Sequence, residues 1–450
     1  MSFASVGTLG TGSTKAAGRT VAMTVGAAVP VGDLVVVWVA WDAHGPAGGS
    51  TSGNGTPREG CSDSKGNIYT QLGGHEDSST ANPAFAVFVS QLRVALAIGD
   101  TITAANSSAV PVAKGITAWQ FTCGGRWAHN DRGTNRVTTL GADPASISYP
   151  GALDSQEYLN IHCLAAKGPS TDAYTWDTDY TQVGTAGTTG GVDTSNCTVT
   201  GGFRIATLTG DTVDVTSDTA DRNYLQGLYA LCEVTLPTFP LTPVLDTFNR
   251  ADENPLDNGT WDASACCALT TTHCRLVSNQ AAGVGGSWWG TSLAAGDGEV
   301  YCTVPVKSGT AGVEGPGLAL NASGCSQTST RTGYGCEWET AATSDRDQIN
   351  VGQLGNATGI AGGLVLYVFI PAVNGDKIGL CKVNQTMHTF VDVGSGWEPA
   401  CAIYWQQFSL NSGEIGLTSG ETNARMDDFG GGTRPAIVTN HLLPILGVGA

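Results

Sequence analysis

Residues Leu34–Trp41 read LVVVWVAW. Eight apolar residues stand in a row, four of them valine, with Pro30-Val31-Gly32-Asp33 before them and Asp42 after. The run is far short of the ~20 apolar residues that a membrane-spanning helix needs. It also lacks the polar face that an amphipathic helix would show about every 3.6 residues. β-Branched content and flanking turn residues predict a strand buried on both faces. A second such run, Leu364–Pro371, reads LVLYVFIP and predicts another.

Shorter strand signals lie on either side of the first run. Thr20–Val25, Ala84–Val89, Thr101–Ala104, Ile116–Phe121, Tyr158–Ala165, Gly202–Ala206 and Tyr224–Val234 are separated by Gly, Asn, Asp, Ser and Pro clusters. A further series follows from Arg275 to Phe429. No long segment repeats apolar residues at helical spacing between proper caps. The pattern predicts an all-β chain of two or three antiparallel β-sandwich or jelly-roll domains.

The chain has 450 residues, enough for several cores, and 41% of them are hydrophobic. Only 13% are charged, and 62 are glycine. The net charge of -18 repels phosphate backbones, and no Lys/Arg cluster offsets it, which argues against nucleic-acid binding. The start, MSFASVGTLG, has no basic stretch followed by an apolar one, so no secretory signal is expected. Thirteen cysteines are an odd number. In a chain this large most are expected to be buried thiols.

Leu236–Val244, LPTFPLTPV, holds three prolines and is the best linker candidate. It divides the chain into an N-terminal sandwich region (1–235), a Pro-rich linker (236–245), a second sandwich (246–432) and an apolar tail (433–450). In the tail, Ile437, Leu442, Leu443, Ile445 and Leu446 would be costly in water and are expected to dock on a neighbouring surface.

The second half carries DTFNRADENPLDNGTW (Asp246–Trp261), LVSNQAA (Leu276–Ala282), GDKIGL (Gly375–Leu380), GEIGL (Gly413–Leu417) and ARMDDFGGG (Ala424–Gly432). It resembles the concanavalin A-like, or laminin G-like, jelly roll common in tailed-phage virion proteins. The first half, with VGDLVVVWVAW, CSDSKGNIYTQL and IGDTITA, is similar to a sandwich module of phage tail and surface proteins. The resemblance implies a non-enzymatic virion component, a minor tail protein first and a capsid decoration next. It would dock to other virion proteins, form a homo-oligomer and meet host-surface glycans, on the particle and outside the cell after lysis. The alternatives are a carbohydrate-active enzyme on the same fold and a bacterial surface adhesin.

Candidate chemistry is sparse. Glu337 and Glu339 flank Trp338, so a strand would put both carboxylates on one face, as a retaining glycosidase requires. An ordinary polar face opposite a buried Trp has the same pattern. Asp246 and Asp428 stand at the first and last strands of the jelly roll, where carboxylates could share a structural Ca2+. Turn capping is the plainer reading. Trp288 and Trp289, in GGSWWG, read as aromatics on a loop for a ligand or partner, or as a lid on the core. Cys266, Cys267, His273 and Cys274 are zinc-type ligands at poor spacing. Asp211, Asp214, Asp218 and Asp221 read as a solvated hairpin.

Overall fold

In the computed structural model, residues 2–42, 60–76, 82–106, 111–219, 221–253, 256, 261, 274–282, 285–289, 291, 293, 296–307, 314–323, 332–339, 347–354, 360–370, 373–406, 412–420 and 423–435 are described. The fold is all-β, apart from a single 3-10 turn at Asp193–Ser195 among these residues. The tail residues Ile437, Leu442, Leu443, Ile445 and Leu446, and also Cys266, Cys267 and His273, lie outside them.

Two large sheets pack face to face. The front sheet has 11 strands in the order Ala4–Thr14, Lys114–Thr122, Leu34–Trp41, Ala84–Gln91, Tyr69–Glu76, then Ile360–Ile370, Asp347–Leu354, Thr332–Glu339, Glu314–Ser323, Glu414–Ser419 and Gly285–Trp288. The first five come from the first half of the chain and the other six from the second. The back sheet, of 14 strands, also runs through both halves. In front, Tyr69–Glu76 pairs antiparallel with Ile360–Ile370 through Gln71–Tyr367, Thr70–Val368 and Tyr69–Phe369. In the back, Glu398–Tyr404 runs parallel to Arg126–Leu140 through Ile403–His129 and Tyr404–Asn130.

Polar bonds reinforce the seam. The Arg126 guanidinium donates to Ala400 O at 2.7 Å, Pro399 O at 3.3 Å and Gln91 Oε1 at 2.9 Å. Arg93 pairs with Glu398. Tyr404 OH donates to Asp154 Oδ2 at 2.7 Å. One apolar core fills the space between the sheets and contains residues of both halves, from Leu34 and Trp38 to Val300 and Leu417.

In the first half, two more cores lie outside this pair. Leu34, Val36, Trp38 and Ala40 face the central core, whereas Val35, Val37, Val39 and Trp41 face a second one. That core is closed by the small sheet of Thr20–Thr24, Thr101–Ala105 and Gly60–Asp63. All eight residues are fully buried, as the uninterrupted apolar run requires. A third core, with Tyr174, Trp176, Val213 and Val215, covers the back sheet. The first half is therefore four layers deep and the second two.

The Pro-rich segment Leu236–Val244 lies packed on the back sheet. Its Leu241 and Thr242 N–H groups each donate to Glu299 Oε1 at 2.6 Å.

Candidate functional site

Successive strand residues alternate faces, so Trp338 enters the central core while Glu337 and Glu339 point out of the front sheet. The register then assembles a polar row. Thr418 lies opposite Gly317, Gly317 opposite Glu337, Glu337 opposite Asn350, and Asn350 opposite Tyr367. One step along, Glu339 lies opposite Gln348.

Glu339 Oε2 accepts from Gln348 Nε2 and from Asn350 Nδ2, both at 2.9 Å, and Gln348 Nε2 also reaches Asn350 Oδ1 at 3.0 Å. Gly317 is required at its place: a Cβ there would collide with Thr418 Oγ1 and with Glu337 Cγ. Glu337 and Glu339 are 1% and 2% exposed. The expected pair of carboxylates is thus on one face, but it is buried. Each acid can accept hydrogen bonds, and the carboxamides can both donate and accept. That is the bonding repertoire for a polyol, and equally for a self-satisfied network.

Trp288 and Trp289 are not on an open loop. Trp288 ends the strand Gly285–Trp288 and is fully buried. Its ring lies against Gly416, where a Cβ would strike it. Trp289 packs edge-on against Trp261 at 5.3 Å and beside Phe429 at 6.0 Å. The glycine that makes room for the Trp288 ring is Gly416, on the neighbouring strand. Trp405 packs on Tyr334 at 5.3 Å.

Asp246 and Asp428 are not joined either. Asp246 Oδ1 accepts from Phe248 N–H and from Arg250 Nη1, both at 2.7 Å, and Oδ2 accepts from Trp261 Nε1 at 2.7 Å. These donors take three of the about four lone-pair sites of the carboxylate, so turn capping and ion pairing account for its place. Asp428 is exposed, with Oδ2 3.3 Å from Thr303 Oγ1. Burial raises the pKa of Asp427, as do the charges of Asp428 and Asp246. Among the described residues no three His, Cys, Asp or Glu side chains form a metal-holding group.

Ten cysteines are described, none in a disulfide, and Cys123 alone among them is not buried. Burial lifts Cys123 to a pKa of about 12. Asp211 is tied to Arg204, Thr212 N–H and Tyr180 OH, and Asp214 accepts from Ser146 Oγ, so these acids brace loops.

Four features carried no motif: Arg126 at the seam, Lys114, the Glu299–Arg434 pair and a cleft of about 440 Å3. The cleft is lined by Gly124, Gly125, Gln156, Glu157, Glu233 and Leu236. Its acids are already engaged, Glu233 with Gly124 and Gly125 N–H and Glu157 with Phe3 N–H. A lone charge inside an apolar strand, as in GEVYCTV, was the one available signal for Glu299.

No family model matches the sequence, and no curated protein does. Among solved structures, the chain is similar to the carbohydrate binding module CBM66 from Bacillus subtilis, with 14% identity, 34% of this chain and 86% of that one covered, and a TM-score of 0.25. It is also similar to a legume lectin-like domain from Entamoeba histolytica, with 10% identity, 37% and 89% covered, and a TM-score of 0.28. A xylan beta-1,4-xylosidase from Bacillus halodurans shares 13% identity over 44% of this chain and 40% of that one, with a TM-score of 0.26. Similarity at this level says nothing about ligand or activity.

Proposed function

We propose that the protein is a structural, non-enzymatic component of a tailed-phage-type particle, a minor tail protein first and a capsid decoration second, that docks to neighbouring subunits. The observation that carries this reading is the lateral fusion of both sheets. The two halves share both large sheets and one core, which ties them into one piece. Its sheet edges are guarded. They end in Gly285–Trp288, Thr181–Gln182 and Arg275–Val277, all short, and in Ala4–Thr14, which is bulged twice. Neighbours therefore meet faces, turn tips or the apolar C-terminal sequence, not open strands.

The test is the copy number of the chain in purified particles, measured by quantitative mass spectrometry, beside a chain truncated after Pro435. A fixed copy number, with loss of incorporation on truncation, supports the reading. Absence from washed particles overturns it. The cut belongs after Pro435, because Arg434 is bound within the fold.

The polar row around Glu337 and Glu339 favours a second reading, glycan binding, with a carbohydrate-active enzyme as its catalytic variant. A glycan array and a polysaccharide-hydrolysis assay on the wild type, Glu337→Gln and Glu339→Gln separate them. Binding without turnover fits a lectin-like role. Turnover abolished by either substitution makes the protein an enzyme.

A further inference from the structure

Three pieces of chain, distant in sequence, converge on the outer face of the back sheet. The first is the Pro-rich segment. Its Phe239 ring stacks on Phe390, with centroids 4.3 Å apart and planes at 7°, and meets Trp397 at 5.0 Å and Tyr301 at 6.0 Å edge-on. Gly379 is the floor of this seat, since any Cβ there would strike the Phe239 ring. The second piece is Glu299, fully buried on the strand Gly298–Val306. Its Oε1 takes the Leu241 and Thr242 N–H groups and, at 2.7 Å, the Thr242 hydroxyl. The third is Arg434, whose Nη1 pairs with Glu299 Oε2 and whose Nη2 donates to Thr238 O at 2.8 Å.

We propose that these pieces form a latch worked from the C-terminus. The strap is 236–244, Glu299 is its anchor, and Arg434 is the lock, bound at once to the anchor and to the strap backbone. Withdrawing Arg434 leaves a carboxylate without its cation in a water-free place, which is strongly unfavourable. It also frees Thr238 O. Glu299 then recovers solvation by letting the strap lift, and Phe239 leaves its seat. The sequence from residue 436 on is apolar, AIVTNHLLPILGVGA, so a partner that takes those residues acts next to the lock. The latch itself does not depend on what that partner is.

The experiment is pulse proteolysis of the full-length chain with chymotrypsin, mapping the cut at Leu241–Thr242, the strap bond after a large apolar residue that proline does not follow, well below each variant's melting temperature. Arg434→Gln and Glu299→Gln are each expected to raise cleavage within the strap at least tenfold, with sites elsewhere unchanged. The double variant is expected to go no further than either single one. Arg434→Lys, which keeps the charge but loses the two-pronged contact, falls between and serves if Arg434→Gln does not fold. Truncation after Pro435 keeps the lock and leaves strap cleavage at the wild-type rate, whatever it does to assembly. Unchanged cleavage in Arg434→Gln, a rise shared by sites outside the strap, or release by the truncation alone would overturn the latch.

Discussion

Single side chains in this protein are fixed by what burial demands of them. Asp246 could have been a metal ligand by position, but it spends its oxygens on Arg250, Trp261 and a backbone N–H. Asp246→Ala should therefore cost about 2–3 kcal/mol, equally with and without chelator, as read by urea unfolding. A cost that disappears in chelator would restore the metal. Lys114 is buried, with Nζ donating to Ala16 O, Gly18 O and Pro111 O at 2.7–2.9 Å, and burial lowers its pKa. His129, His162 and His388 are buried too, and desolvation pulls each to a pKa of about 3. An unfolded histidine titrates near 6.5, so between about pH 6.5 and 3 the unfolded state binds more protons. Stability therefore falls as pH falls through that window, by up to about 1.4 kcal/mol per pH unit for each histidine. Urea midpoints at pH 7, 6, 5 and 4 check this, with His388→Gln expected to flatten the slope by one proton. A profile level down to pH 4 would contradict it.

At the scale of elements, glycines and charges decide which strands meet. The polar row needs Gly317, because Thr418 and Glu337 lean over it. Gly317→Ala should destabilise the protein by about 1–3 kcal/mol through overpacking. The same variant should alter any glycan binding, and a neutral result in both assays would remove the row from the functional account. Arg126 crosses the seam between the halves, and desolvation lowers its pKa to about 10. Its loss would strand two carbonyls of the second half, Pro399 O and Ala400 O. Arg126→Met should cost about 2–4 kcal/mol in urea unfolding, because each bond from a charged donor is worth more than a neutral one. A change below the error of the measurement would mean that the strand pairing alone holds the seam.

For the whole molecule, shared sheets change the expected unfolding. Two sandwiches on a loose linker would melt separately. Here the central core contains residues of both halves, and the Pro-rich segment is bonded to the back sheet. We expect one calorimetric transition, with van't Hoff and calorimetric enthalpies in agreement. Two resolved transitions would show that the halves fold on their own and that the seam is weak.

Local structure was legible in the amino-acid order alone. The run LVVVWVAW, short, rich in valine and bounded by turn residues, reads as a strand covered on both sides. Turn residues mark where strands stop, and the i, i+2 spacing of Glu337 and Glu339 sends both to one face. The count of cysteines in a large, strand-rich chain already pointed to buried thiols. Tertiary structure decided the rest, because partnership across long separations leaves no mark at either residue. Nothing in CEWET names Gln348 or Asn350 as its neighbours, and nothing in GGSWWG says that Gly416 will lie under Trp288. The glycines read as a loop because small residues serve both exposure and close approach. The three prolines read as a stiff linker because composition sets stiffness, whereas Glu299 and Arg434, 58 and 135 residues further along from their partners, decide whether a stiff segment is tied to a sheet.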